Sequence, residues 1–256
     1  MGLRTPVFAA NWKMNKTLKE ASLFFETFLN LLPTKLDAEI IVCPSFTLFH
    51  SISSCSSQKI KLGAQNIFWE KEGAYTGEIS PVMLKDSGCQ YVIIGHSERR
   101  KYFAETNAIV NKKILAAFEY GLKPILCIGE TLEEMEKGIT RQILAEQIKE
   151  GLFRTAQSDF EKLIMAYEPV WAIGTGKADS PQQSNETIRF IRETLSELCG
   201  IHTASKIRIL YGGSVKPNNI KGFMEQSEID GALVGGASLN PEDFAKLVLS
   251  GDPAKF

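Results

Sequence analysis

Nowhere in the 256 residues does an uncharged apolar run approach the roughly 20 residues that a membrane span needs. The stretch from Met1 to Asn15 carries no continuous apolar segment of the kind a secretory signal uses. No membrane association is expected from either feature. Gly2 stands where a myristoylated glycine would, but Pro6 occupies the position at which that signal requires Ser or Thr. Cysteine is sparse too: Cys43, Cys55, Cys89, Cys127 and Cys199 are odd in number, scattered, and without a C-x-x-C pair. That pattern argues against a disulfide framework or a zinc ribbon and fits a reducing cytoplasm. Histidine occurs only at positions 50, 96 and 202, so no His-cluster metal site is expected. Charge of one sign is missing as well. Lys and Arg total 29 against 30 Asp and Glu, which offers no general attraction to nucleic acid or anionic lipid, so any anion site must be local.

No Gly/Ser-rich or charge-rich linker divides the chain, and residues 1–256 read as one domain. At 44% hydrophobic and 23% charged residues, there is enough apolar material for a barrel interior and a surrounding helix layer. Short β-branched apolar runs recur at Val7–Ala10, Ile40–Cys43, Ile60–Ala64, Tyr91–Ile94, Pro124–Ile128, Leu163–Tyr167, Ile207–Leu210 and Gly231–Val234. They are continuous rather than alternating, as expected for parallel strands buried on both faces. Apolar residues at three- and four-residue spacing predict helices over Leu18–Leu32, Thr106–Tyr120, Arg141–Phe153, Gln182–Cys199 and Pro241–Leu249, with a shorter one after Pro217. Ser180-Pro181 and Asn240-Pro241 read as helix caps followed by a first-turn proline.

Eight alternating strand–helix units predict an α/β fold, a single (β/α)8 barrel. A doubly wound open sheet is the alternative, but it would normally carry a glycine fingerprint after its first strand, and here Asn11-Trp12-Lys13 follows instead. In such barrels the chemistry lies at the carboxyl ends of the strands. That rule selects Asn11 and Lys13, Gln65 and Asn66, His96, Glu130, Glu168, Gly212-Gly213-Ser214, and Gly235-Gly236. A lone lysine or histidine at a strand end is usually a solvated or structural group. A base, an electrophile, a cation and two glycine turns converging on one rim from distant segments are harder to dismiss. Glycine turns after strands seven and eight are where barrels cradle phosphate with backbone N–H groups. Gly174-Thr175-Gly176-Lys177 superficially resembles a nucleotide-binding P-loop, but Trp171 and Ala178 break its pattern.

Five blocks carry a specific resemblance: Asn11-Trp12-Lys13-Met14-Asn15, Tyr75-Thr76-Gly77-Glu78-Ile79-Ser80, Ile94-Gly95-His96-Ser97-Glu98-Arg99-Arg100, Ala166 through Lys177, and Tyr211-Gly212-Gly213-Ser214. In content, order and spacing the sequence is similar to the triosephosphate isomerase family over essentially its whole length. The resemblance implies isomerisation of dihydroxyacetone phosphate and glyceraldehyde 3-phosphate without metal or organic cofactor. It implies Glu168 as the base that shuttles the carbon-bound proton, and His96 as a neutral donor to the substrate oxygens, the behaviour for which this family is a standing example. Lys13 and Asn11 would supply charge and a hydrogen bond at the developing oxyanion. Gly174, Ser214, Gly235 and Gly236 would hold the phosphate, with Ser97, Glu98, Cys127 and Leu233 in support. Pro169, Val170, Trp171, Ala172, Ile173, Gly174, Thr175, Gly176 and Lys177 would form a lid. A water-excluding site should raise the proton affinity of Glu168.

The segment Asn66 to Ser80 carries Phe68, Trp69 and Tyr75 on what a monomer would leave wet, so a homodimer is expected. By the resemblance Thr76 would reach the partner's site and Met14 would line the receiving pocket. Two rivals remain open on the sequence: another phosphosugar barrel enzyme, such as an aldolase forming a Schiff base at Lys13, and a barrel kept only for binding or scaffolding.

Overall fold

The computed structural model describes residues 4–50, 52, 59–172 and 179–251. Eight strands, β1 (Val7–Asn11), β2 (Glu39–Cys43), β3 (Ile60–Ala64), β4 (Tyr91–Ile94), β5 (Lys123–Ile128), β6 (Ile164–Tyr167), β7 (Arg208–Tyr211) and β8 (Gly231–Val234), pair in sequence order. All pairs are parallel, and β8 returns to β1 with Gly231 opposite Val7 and Leu233 opposite Ala9, so the sheet closes into a barrel.

Alternate residues of each strand serve two different cores. Val7, Ala9, Ile41, Ile93, Ile125 and Leu210 fill the barrel interior, whereas Phe8, Ala10, Ile40, Val42, Val92 and Leu126 face the helix layer. Continuous apolar runs are what this double burial demands. Strand seven begins at Arg208 rather than Ile207. The Ile207 carbonyl is taken by the Arg192 guanidinium at 2.7 Å, while Tyr211 stays in register opposite Tyr167.

Ten α-helices lie among the described residues: α1 (Leu18–Leu31), α2 (Pro81–Asp86), α3 (Ser97–Tyr102), α4 (Asn107–Glu119), α5 (Leu132–Glu136), α6 (Thr140–Gly151), α7 (Pro181–Cys199), α8 (Ile201–Ala204), α9 (Ile220–Met224) and α10 (Pro241–Ser250). Local chemistry sets their starts. Thr17 and Glu20 form a reciprocal capping box ahead of α1. Ser180 caps α7 and Asn240 caps α10, each followed by proline at the first position. Helices α1 and α10 meet through stacked Phe28 and Phe244, 5.1 Å apart. Each such buried ring contributes about 1.5–3 kcal/mol. This packing fixes the first and last βα units side by side, and with them the loops after β1 and β8.

Candidate active site

At the carboxyl ends of the strands a cleft of about 610 Å³ is lined by Asn11, Lys13, His96, Glu168, Gly212 to Asn218, Leu233, Gly235 to Ala237 and Asp243. The two residues drawn from β1 and its exit turn are held by their own backbone. Asn11 Oδ1 accepts the Lys13 N–H at 3.1 Å, and Gln65 Nε2 donates to the Lys13 carbonyl at 2.9 Å and to that of Cys43 at 2.9 Å. These bonds hold Lys13 in a left-handed conformation, φ 53°, which is unusual for a residue with a side chain. From there Lys13 Nζ reaches Glu98 Oε1 at 2.6 Å.

His96 ends the β4 segment and caps α3. Its Nδ1 accepts the Glu98 N–H at 3.2 Å, so Nε2 is the nitrogen that carries a proton toward the cleft. Facing it, Glu168 Oε1 lies 2.9 Å from His96 Nε2, and Glu168 Oε2 accepts the Ser97 N–H at 3.0 Å. Glu168 is 2% exposed. Two glycines permit this placement. A Cβ on Gly129 would fall 1.7 Å from the Glu168 carbonyl oxygen, and one on Gly212 would fall 2.8 Å from Glu168 Cγ.

The electrostatics of the Glu168–His96 pair run opposite to the sequence expectation. Burial alone pushes the Glu168 carboxyl up, but His96, the Ser97 N–H and Lys13 together outweigh it and hold the carboxyl below its ordinary value. Burial pushes the His96 imidazole down, yet Glu168 and, more weakly, Glu98 raise it above its ordinary value. Each group is the other's main electrostatic partner. Cys127, beneath them on β5, is pushed well above its ordinary value by burial and then by the charge of Glu168.

Not every candidate lines the cleft. Gln65 braces the Lys13 turn, as above. Asn66 accepts from the buried Lys113 at 2.7 Å. Glu130 sits under the first turn of the segment after Glu168, with Oε1 accepting from Tyr167 OH at 3.1 Å and from Trp171 Nε1 at 2.8 Å. Burial pushes its carboxyl up against the pull of Trp171 and Tyr167. Of the proposed lid, Pro169, Val170, Trp171 and Ala172 form a short turn. Ile173, Gly174, Thr175, Gly176 and Lys177 lie outside the described residues, as does the expected phosphate contact of Gly174. Thr76 is exposed on the loop after β3. In that loop Phe68 and Trp69 are half-buried against each other at 4.0 Å and Tyr75, which packs on Phe68 at 4.5 Å, is the most exposed of the three at 44%. Met14 is 94% exposed.

Sequence reasoning passed over Glu105. It is buried behind His96, accepts the Gly95 N–H at 3.0 Å, and binds Arg99 Nε at 2.8 Å and Lys113 Nζ at 2.5 Å. Gln147 of α6 was missed as well: its amide exchanges two hydrogen bonds with the Gly129 peptide, 2.9 and 3.0 Å.

A rim of this composition on a closed parallel barrel places the protein among (β/α)8-barrel enzymes that act on small phosphorylated molecules. The triosephosphate isomerase family model matches residues 6–250. The triosephosphate isomerase of Dictyoglomus turgidum is 54% identical over 97% of this chain and 100% of its own length. That of Dictyoglomus thermophilum is 53% identical over 97% and 100%, and that of Caldanaerobacter subterraneus subsp. tengcongensis 53% over 96% and 99%. The chain belongs to the triosephosphate isomerase family.

Proposed function

We propose the following division of labour for the reaction of this isomerase, the interconversion of dihydroxyacetone phosphate and glyceraldehyde 3-phosphate. Glu168 takes a proton from the carbon beside the substrate carbonyl and returns it to the neighbouring carbon. His96 Nε2 donates to the substrate oxygens, while Lys13 and the Asn11 amide stabilise the oxyanion that develops. Ser214, Gly235 and Gly236 present backbone N–H groups to the phosphate, so a nearly neutral protein holds a dianion without a basic patch.

The observation that carries this reading is the 2.9 Å contact between Glu168 and His96 Nε2. Substrate oxygens need that same donor, so binding replaces the carboxylate at Nε2. Glu168 then loses the partner that most depresses it, and burial, the largest influence left, drives its proton affinity up. His96 loses the carboxylate that most raises it, and burial holds it neutral. Substrate entry thus converts a stable resting pair into a base and a neutral donor.

A coupled assay run in deuterium oxide tests the scheme. Isomerisation with solvent deuterium entering the product carbon is the expected outcome, because the proton held on the Glu168 carboxyl can exchange before it is returned; unlabelled product together with parent-like turnover in Glu168→Gln would overturn the role of Glu168. The aldolase alternative fits poorly, because Lys13 Nζ is engaged by Glu98 and a Schiff base requires a free amine. Borohydride treatment with substrate should leave the chain unmodified.

The working form is a homodimer in this reading. Met14, Val82, Met83, Tyr102 and Phe103 are exposed large apolar residues, more than an isolated surface normally leaves wet. Sedimentation across dilution, with activity followed in parallel, checks it: a fully active monomer would reject the dimer. Residues 1–256 act as one catalytic domain. A cytoplasmic site fits the buried thiols of Cys43, Cys89, Cys127 and Cys199. No described helix is long and apolar enough to cross a membrane.

A further inference from the structure

Lys16 occupies a left-handed backbone conformation, φ 73°, which disfavours any residue with a Cβ. Its side chain supplies the compensation. Nζ donates to the Leu239 carbonyl at 2.8 Å and lies 5.1 Å from the centre of the Trp12 ring and 4.9 Å from that of Phe24, within cation–π range of both. Leu239 closes the short turn that begins at Gly235. Ser238 N–H and Oγ donate to the Gly235 carbonyl at 2.8 and 2.7 Å, and Leu239 N–H donates to that of Gly236 at 3.1 Å. These bonds leave Gly235 and Gly236 on the cleft wall. The loop after β1 and the turn after β8 also touch where a Cβ on Gly235 would meet Lys13 Cε at 3.4 Å.

We propose that Lys16 is a positioning residue that ties the Lys13 loop to the Gly235–Gly236 turn, and so sets the distance between the fixed cation and the phosphate cradle. The inference rests on the isomerase reading above for what the cradle binds. It places Lys16 outside the cleft, acting on affinity for the phosphate rather than on proton transfer.

Two variants test it. Lys16→Gly removes the tether and relieves the left-handed strain, so it should fold at least as well as the parent. Lys16→Met keeps the strain and the stem but loses the hydrogen bond and the charge. Both should raise KM for glyceraldehyde 3-phosphate about fivefold, the scale of one net hydrogen bond, with kcat little changed. The dissociation constant for inorganic phosphate, measured by calorimetry, should rise equally. Their melting temperatures should diverge, Gly above Met, a pattern that a merely structural role for Lys16 would not couple to a shared loss of affinity. Parent-like phosphate affinity in Lys16→Gly would overturn the tether. Inactivity of the parent would overturn the isomerase reading instead, and the phosphate titration would still decide the tether.

Discussion

Two buried glutamates flank one turn and are treated oppositely. Glu105 accepts the N–H of Gly95 and Glu168 that of Ser97, each at 3.0 Å, so they grip the backbone on either side of His96. Glu105 is otherwise held by the Arg99 guanidinium and the Lys113 amine, at 2.8 and 2.5 Å. The other partner of Glu168 is His96, a group whose proton can be redirected to something else. Both carboxylates are buried, and they differ in the chemistry of the partner. A carboxylate held by a guanidinium and a buried amine serves as a strut, whereas one held by an imidazole has a partner able to turn to another acceptor, which is what the proposed role of Glu168 requires.

Removing the Glu168 carboxylate should have the largest effect on turnover. Glu168→Gln keeps the size and the Ser97 contact but cannot take a proton, and kcat is expected to fall about 10²–10⁴-fold, with the melting temperature near that of the parent. Initial rates on purified variant would show it. Activity close to the parent's would make Glu168 a second strut and erase the contrast with Glu105.

The converse change, Glu105→Gln, should act on stability instead. It leaves buried Lys113 facing a neutral amide, and breaking one side of a buried ion pair costs about 3–5 kcal/mol. Denaturant unfolding should register that loss, while the rate per folded molecule stays near the parent's. A variant of unchanged stability and much lower kcat would show that Glu105 belongs to the chemistry.

Acid sharpens the same comparison. Burial pushes Glu105 up, but Lys113 and Arg99 outweigh it, so its folded value lies below the ordinary 4.5. A depressed carboxylate binds fewer protons folded than unfolded. The stability it contributes is therefore present above pH 4.5 and is lost as pH falls through the depressed folded value. Unfolding free energy followed downward from pH 5 should fall less steeply in Glu105→Gln than in the parent. Equal slopes would mean that Glu105 is not ionised in the fold.

The contrast between these glutamates was only half visible in the sequence. Glu168 and His96 stand at the ends of apolar runs that read as strands, within blocks whose order and spacing are specific, so the barrel and its rim could be laid out before any coordinates. Glu105 offers no such signal. It falls in an exposed-looking loop between helices, and its partner Lys113, which also donates to Asn66, lies on a helix face that only the closed barrel brings beside that strand end. Lys113 in a sequence of mixed polarity reads as solvated, yet it is 3% exposed. The direction of the Glu168 and His96 shifts was illegible for a similar reason: residue type gives the players, but not which of them touch.

The smallest expected effect lies one layer below Glu168. Gln147 of α6 reaches past the helix layer to bond both the N–H and the carbonyl of Gly129, the residue so close under Glu168 that no Cβ fits there. The amide thus replaces the peptide partner that this bend out of β5 has lost, and it fixes the floor on which the Glu168 backbone rests. In Gln147→Met the side chain still fills the space, but two inward-facing peptide groups lose their partners at a cost of about 1–3 kcal/mol. If the floor only stabilises the fold, the melting temperature falls and kinetics do not change. If it also aims the carboxylate, kcat falls by up to about tenfold with KM unchanged, because a small misplacement of a base costs rate rather than binding. Gln147→Glu separates the effects further, since its carboxylate can still accept from the Gly129 N–H but repels the carbonyl. The expected order of kcat is parent, then Glu, then Met, and parent-like turnover in both variants would confine Gln147 to a structural part.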